Sequence, residues 1–277
     1  MIDLHTHTTA SDGRDPPAEL VQRAVQAGVT ILAVTDHDTV AGCEAAAAAC
    51  GECRIQFVPG IEITAVADGG DIHVLGYFID TRSERLRRFL ADQRQHRIGR
   101  VREMIRRLAA AGIVLDEDAI VQPAVDDPAK SAGRPWIARA LVAAGHVDST
   151  DEAFDRWLAR GRPAFVPRTG ASPAEVFARI HDADGIASLA HPALAGRDDG
   201  IDAFVRDGLD AIEAYHSEHD AAATARYLSL AQRLDVAVSG GSDYHGDAHG
   251  PATPGAVSLP PEHFDRLVRR RRLRVRP

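Results

Sequence analysis

Along the first eighty positions, short apolar runs alternate with stretches whose apolar residues recur at helical spacing. Ile2 to Thr8 reads as a strand, and Pro17 to Gly28 as a helix opened by proline and closed by glycine. Ile31 to Thr35 predicts a buried strand, Ala41 to Cys50 a helix, and Ile55 to Val58 and Ile72 to Ile79 two further strands. The pattern then changes. Arg-rich helical periodicity runs from Ser83 to Ala111, shorter helices follow over Pro135–Ala144 and Asp151–Arg160, and no convincing strand interrupts them. The alternation resumes with strands at Ile186–Leu189, Ala211–Ala214 and Val236–Ser239, separated by helices around Ala174–Asp184, Ile201–Asp207 and Ala221–Leu234. Strands divided by helices predict parallel βαβ units. The expected architecture is α/β: seven or so parallel strands in a (β/α) barrel over 1–80 and 164–277, interrupted by an all-helical insertion over 81–163.

A chain of 277 residues, 45% apolar and 26% charged, fits one such domain and excludes disordered or collagen-like classes. No segment reaches the ~20 uncharged apolar residues of a membrane span. Met1-Ile2-Asp3 opens directly on a candidate strand, which reads as a cytoplasmic protein without a secretory leader. The net charge of -8 repels nucleic acid at long range and leaves phosphate binding to local patches. Among 32 basic residues the sole lysine, Lys130, stands out. Cys43, Cys50 and Cys53 lack a second pair to complete a thiolate zinc site, so Cys50-Gly51-Glu52-Cys53 reads as a helix-end turn.

Chemistry-bearing residues gather at strand ends. His5 and His7 lie i, i+2 on the first strand and so share a face. Asp12 follows, then Asp36-His37-Asp38, Glu62, His73, His191 and the run Asp243-Tyr244-His245. The carboxyl ends of a parallel barrel converge on one mouth, so residues far apart in sequence can meet there. Leaving aside Asp36 and Asp38, nine His, Asp and Glu side chains exceed the three to five that one ion takes from a protein, which implies two or three divalent ions. A set without thiolate suits Mn²⁺, Zn²⁺ or Fe²⁺. His96, His146, His181, His249 and His263 lack this pattern and read as structural.

The motifs Asp3-Leu4-His5-Thr6-His7, Thr35-Asp36-His37-Asp38, Ala190-His191-Pro192 and Ser242-Asp243-Tyr244-His245 appear in the order of the PHP (polymerase and histidinol phosphatase) family, which the chain resembles everywhere but in the insertion. The resemblance implies a distorted seven-stranded barrel, the PHP fold, and a trinuclear metal centre with Mn²⁺ foremost. It would place His5, His7, Glu62 and Asp243 on one ion. Asp12, His37 and His245 would hold a second, and Glu62, His73 and His191 a third. Some relatives have His where this chain has Asp12.

Clustered cations suit phosphoester hydrolysis by metal-activated hydroxide, because they acidify water and neutralise phosphate oxygens. His191 or His245 could serve as the leaving-group acid, and Asp38 and Asp36 could orient the histidine ligands. In the insertion, Lys130-Ser131-Ala132-Gly133-Arg134-Pro135 precedes a helix, so Lys130 and Arg134 are candidate phosphate contacts. His216 and His219, in the loop after the strand ending near Ala214, are further candidate substrate contacts. The arginines from Arg85 to Arg107 and the tail Arg269–Arg274 read more simply as a solvated helix face and a basic tail than as an RNA guide. Within the family the chain resembles the stand-alone phosphoesterases of the RNase AM and TrpH type. That implies removal of the 3′-phosphate from 3′,5′-nucleoside bisphosphates such as pAp, with short single-stranded RNA degraded from its 5′ end as a second substrate. The alternatives are histidinol-phosphate phosphatase and a non-catalytic metal-binding module.

Overall fold

In the computed structural model, β1 (Ile2–Asp3), α1 (Pro17–Gln26) and β2 (Ile31–Val34) form the first parallel βαβ unit. The structure describes every residue except 68, 69, 128, 129, 131, 197, 247–249, 252 and 275–277. Helix α1 starts on Pro17, whose missing N–H costs nothing in a first turn, and buries Leu20, Val21 and Ala24. Helix α2 (Cys43–Cys53) ends where Arg54 turns left-handed, so the cysteine pair sits in its last turn. Next come β3 (Gln56–Ala67) and β4 (Gly70–Tyr77).

The expectation of an all-parallel sheet is corrected here. β4 runs antiparallel to β3, from Gly60↔Tyr77 to Ala67↔Gly70, and antiparallel to the strand on its other side. Two residues separate β3 from β4, too few for the crossover that parallel neighbours need. Asp68-Gly69 is itself a hairpin signal in the sequence. The same hairpin carries β3 well past the expected end at Val58, so Glu62 lies within the strand and not after it.

Helix α3 (Glu84–Ala110) opens on Ser83, whose side chain accepts from Leu86 N. It belongs to two cores. Leu86 and Leu90 pack into the barrel core, while Ile98, Val101, Met104, Ile105 and Leu108 join a separate cluster. At about 2 kcal/mol for each large apolar side chain buried, both ends of this helix are fixed. Helices α4 (Glu117–Asp126), α5 (Arg134–Ala143) and α6 (Thr150–Ala153), with the wide turn Phe154–Leu158, complete the second cluster. The chain returns through α7 (Pro173–Asp182), which opens on a reciprocal Ser172/Glu175 cap, to β5 (Ile186–Leu189). Helices α8 (Pro192–Ala195) and α9 (Ile201–Arg206), strand β6 (Ala211–Tyr215), α10 (Ala221–Arg233), β7 (Ala237–Gly240) and α11 (Pro261–Arg274) finish the fold.

The seven strands follow sequence order around the sheet, and the segments after β1 and β7 nearly close it into a barrel. Leu4 N donates to Gly240 O (3.2 Å), Asp243 N to His5 O (2.8 Å) and His7 N to Tyr244 O (2.9 Å). A Cβ at Gly241 would lie 2.7 Å from Asp3 Oδ1 and 2.6 Å from His5 Cβ, so the seam closes only over glycine. The buried Asp3 carboxylate clamps the seam, accepting from Ser242 N (2.9 Å), Ser242 Oγ (2.6 Å) and Gly255 N (2.7 Å). At the opposite end of the barrel, Arg274 pairs with Asp210 (2.8 Å), Arg266 pairs with Asp235 (2.9 Å), and Arg271 lies over the Phe78 ring. The arginine tail thus binds the barrel itself. No helix among the described residues is long and apolar enough to cross a membrane.

Candidate metal centre and substrate cleft

The hairpin's reversal brings the first half of β4, with His73, to the same mouth as the carboxyl ends of its neighbours. Glu62 stands at the centre. Its Oε2 lies 3.2 Å from His5 Nε2, 3.3 Å from His7 Nε2 and 3.3 Å from His37 Nδ1. Its Oε1 lies 2.8 Å from His73 Nδ1 and 3.1 Å from His191 Nε2. Asp243 Oδ1 reaches the same two imidazoles from the other side, at 3.2 Å from His5 Nε2 and 3.1 Å from His7 Nε2. At the rim, Asp12 faces His245 Nε2 (3.4 Å), His7 Nδ1 (3.7 Å) and His37 Nε2 (3.7 Å). Asp38, His191 and Asp243 all have positive φ without being glycine. Such strain concentrates at functional sites.

These atoms form groups in which every candidate ligand atom lies within 4.8 Å of the others. One is His5, His7, Glu62 and Asp243, and another is His7, Asp12, His37 and His245. His37, Glu62 and His73 make a third, and His5, Glu213 and His216 a fourth. Ligands about 2.0–2.2 Å from one ion lie within about 4.4 Å of each other, so the spacing suits cations. The buried ring nitrogens of His7, and His37 Nδ1, make no hydrogen bond within the protein, an arrangement that cation binding would satisfy. His191 joins no group of its own, but its Nε2 meets the Glu62 oxygen that His73 holds.

The electrostatics match a negative site awaiting cations. Burial opposes ionisation of Glu62 and Asp243, yet the surrounding imidazoles hold both well below the usual carboxylate range. Burial likewise disfavours charge on His7, but the carboxylates of Asp243 and Glu62, 3.1 and 3.3 Å from its Nε2, outweigh this and raise it to about 10. Burial pushes His37 down to about 4, aided by the neighbouring His7 and His73. A cation arriving at His7 would displace a proton.

Several expected roles change. Asp38, expected among the catalytic residues, touches none of the histidines: Oδ1 accepts from Thr64 N (2.9 Å) and Oδ2 pairs with Arg97 Nη1 (2.9 Å). Asp36 ties down the loop after β1 by accepting from Thr8 N, Thr8 Oγ1 and Ser11 Oγ. His216 and His219, expected to meet substrate from the loop after β6, are 3% and 8% exposed. His216 Nε2 faces Asp243 Oδ2 at 3.3 Å, and His219 Nδ1 donates to Ala214 O at 3.0 Å. His191 and His245, expected also as proton donors, have Nε2 against Glu62 and toward Asp12.

A cleft of about 1040 Å³ joins this mouth to the insertion. Asp12, Arg14 and His37 line its barrel side, and Arg97, Lys130 and Arg139 line the other. Ile120, Pro123, Trp136 and Phe154 add an apolar wall to the same cleft. Arg134, the other expected phosphate contact, lies over the Phe154 ring at 5.6 Å. Ser131 and His249 fall outside the described residues.

Glu213, Arg97, Arg100 and Arg168 were not expected at the site. Gln93, Arg97 and Arg100 continue the inward stripe of Leu86 and Leu90 at steps of three, four and three. That periodicity was legible in the sequence, whereas the reading of a solvated face was not correct for these two arginines. With Arg168 and His96 they surround a cavity of about 10 Å³, at most one water in size. Burial and mutual repulsion, from Arg134 on Arg100 and from Arg97 on Arg168, push Arg100 and Arg168 down to about 10, which leaves both cationic at neutral pH. Among the described residues only Arg97 lines both this cavity and the cleft. Glu213 is a carboxylate inside a buried strand, a signal in its own right.

A barrel mouth crowded with His, Asp and Glu, beside a cationic cleft, defines a metal-dependent phosphoesterase. Residues 3–150 match the PHP domain, and the chain belongs to the PHP family. It is 35% identical over 256 residues to a 5′-3′ exoribonuclease of Haemophilus influenzae, covering 88% of this chain and 89% of the relative. It is 33% identical over 269 residues to the 3′,5′-nucleoside bisphosphate phosphatase of Chromobacterium violaceum, covering 94% and 93%. A solved structure of a Bifidobacterium adolescentis protein, described as a metal-dependent phosphoesterase, superposes with TM-score 0.84 at 32% identity over 97% of this chain and 95% of that one.

Proposed function

We propose that this protein is a cytoplasmic Mn²⁺-dependent phosphatase that removes the 3′-phosphate of 3′,5′-nucleoside bisphosphates, and that short 5′-phosphorylated RNA can enter the same cleft. The observation that carries this reading is one cleft lined both by the mouth residues Asp12 and His37 and by Arg97 with Lys130 on the insertion; the reading takes these as two anion-binding ends. A substrate with two phosphates fits both ends, and the apolar wall of Ile120, Pro123, Trp136 and Phe154 suits the nucleoside between them. The names of the two relatives, a bisphosphate phosphatase and an exoribonuclease, support it.

In this reading His5, His7, Asp12, His37, Glu62, His73, His191, Asp243 and His245 hold the ions. Bound there, they supply Lewis-acid polarisation of the phosphate and lower the pKa of water. The chain's own residues do the rest. Arg97 takes the retained phosphate in a charge-assisted contact. Asp38 positions Arg97 through the 2.9 Å pair, and Arg100 and Arg168 keep the potential behind it positive. The insertion over 81–163 thereby carries specificity while the barrel carries chemistry. A cationic amine substrate such as histidinol phosphate would meet arginines where it needs carboxylates.

Phosphate release from pAp, 3′-AMP, histidinol phosphate and a 5′-phosphorylated RNA pentamer, with Mn²⁺ and after chelation, tests the reading. Mn²⁺-dependent release from pAp well above that from histidinol phosphate is the expected result. Equal turnover of all four substrates would refute it.

A further inference from the structure

Behind the ligand groups lies a layer that touches them from the barrel interior. Glu213, 0% exposed on β6, places Oε1 3.0 Å from His5 Nδ1 and accepts the His191 backbone N–H at Oε2 over 2.7 Å. His191 is the residue with φ of 26°. One carboxylate therefore grips a side chain from the segment after β1 and the strained backbone after β5. Two residues beyond β6's Ala214, His216 accepts the Glu218 N–H at Nδ1 (3.1 Å), which leaves its proton on Nε2, facing Asp243 Oδ2 at 3.3 Å. Three candidate ligands on three elements are thus held from behind by two side chains.

We propose that Glu213 and His216 are positioning residues for the metal centre: they fix the ring of His5, the backbone of His191 and the carboxylate of Asp243 in their ligand-ready geometry. The inference rests on the reading that the mouth binds divalent cations. Proton bookkeeping favours it over a further ion held by His5, Glu213 and His216. A carboxylate offers only acceptors, so the proton of the His5–Glu213 bond sits on Nδ1, leaving Nε2 as the nitrogen for a cation among Glu62 and Asp243. His216, with Nδ1 accepting and Nε2 protonated, has no free lone pair. Neither histidine can present a nitrogen to an ion in that group while these bonds stand.

The layer also explains why Glu and not Gln stands at 213. A carboxylate can accept from His5 and His191 at once, whereas a carboxamide offers one oxygen and one donor, so its –NH2 would face either the His191 N–H or the His5 Nδ1–H. Residues that orient metal-bound histidines in this way typically cost 10–100-fold in metal affinity when replaced.

The test is Mn²⁺ binding by titration calorimetry, with metal counted at saturation, on the full chain and on Glu213→Gln and His216→Gln. Each variant is expected to bind Mn²⁺ roughly 10–100-fold more weakly while taking up as many ions as the parent at saturation. Native affinity in both variants would overturn the proposal. So would loss of a whole equivalent of Mn²⁺ at saturation, because it would make the replaced residue a ligand. Side-chain nitrogen NMR of the unmodified, metal-free protein keeps the test independent of variant folding. His216 is expected as the Nε2–H tautomer, and an Nδ1–H tautomer would sink the inference. Failure of the parent itself to bind Mn²⁺ would overturn the metal-centre reading, and the tautomer would still report on the bonds.

Discussion

Replacing Arg97 with methionine separates the phosphate grip from the rest of the site. Arg97 is the residue shared by the arginine cavity and the cleft, and its guanidinium is aimed by Asp38 at 2.9 Å. A hydrogen bond to a charged group contributes about 1.5–3 kcal/mol, so its loss from a bound phosphate corresponds to roughly 10- to 150-fold in kcat/KM. The stem of methionine keeps the packing of the arginine methylenes. One complication is predictable. Asp38 is 3% exposed, and removing its partner leaves a buried carboxylate, which costs up to about 3–5 kcal/mol in a fully buried pair and less here, where Arg97 retains 15% exposure. The double variant Asp38→Asn/Arg97→Met removes that penalty and should recover stability without recovering KM.

The assay is steady-state phosphate release from pAp and from 3′-AMP, which lacks the second phosphate, at saturating Mn²⁺. Arg97→Met should raise KM for pAp by the stated factor and leave 3′-AMP turnover within about twofold, because uniform binding energy appears in KM. Equal losses on both substrates would refute the reasoning, since Arg97 would then serve the reacting phosphate or the fold. An unchanged KM for pAp would refute it as well.

Asp243→Asn and His7→Ala should each abolish phosphate release and lower bound Mn²⁺ measured by atomic absorption, because each strips a ligand atom from the group around Glu62. Chelation should lower the midpoint of thermal unfolding. At free metal a hundred times Kd the linked stabilisation is about 2.7 kcal/mol, or roughly 5–10 °C in a chain of this size. Away from the mouth, burial opposes ionisation of Asp210, but His181, the Ala187 N–H and Arg274 outweigh it and lower its pKa. That group therefore contributes stability above the unfolded carboxylate pKa and loses it as pH falls through the folded value. Asp210→Asn should flatten the acid limb of a urea stability–pH profile below the unfolded carboxylate pKa, and an unchanged limb would count against the account.

What the sequence revealed and what it hid have physical reasons. The i, i+2 pair His5 and His7, and the carboxyl-end positions of Asp243 and His245, were legible because period-2 alternation fixes faces and βαβ units fix direction. The direction of β4 was misjudged because a run of apolar residues reports a strand without saying which way it runs; only Asp68-Gly69 carried that information. His73 reaches the mouth because of that reversal. His216 looked like a loop residue after a strand, and its burial comes from long-range packing against Asp243 that no local pattern encodes. The arginine cluster was hidden for the opposite reason. Charge on a helix is taken as solvated, and the inward stripe from Leu86 through Arg100 was masked by arginines on every face.

The placement of those arginines answers a problem that the chain sets itself. A mouth lined by Asp12, Glu62, Glu213 and Asp243, in a protein of net charge -8, repels the anion it is built to process. Bound cations would neutralise the mouth, but the approach to it needs positive charge from the chain. Helix α3 resolves this mechanically: one end is anchored in the barrel core and the other in the insertion core. Arg97 and Arg100 therefore sit at a fixed point between the two. Their partial burial keeps them poorly solvated and weakly screened, which strengthens their field on the cleft side. In the proposed reading, cations supplied by the solvent and cations supplied by the chain divide two phosphates between them. In that reading the barrel fixes where hydrolysis happens, and α3, anchored in both cores, fixes where the retained phosphate sits.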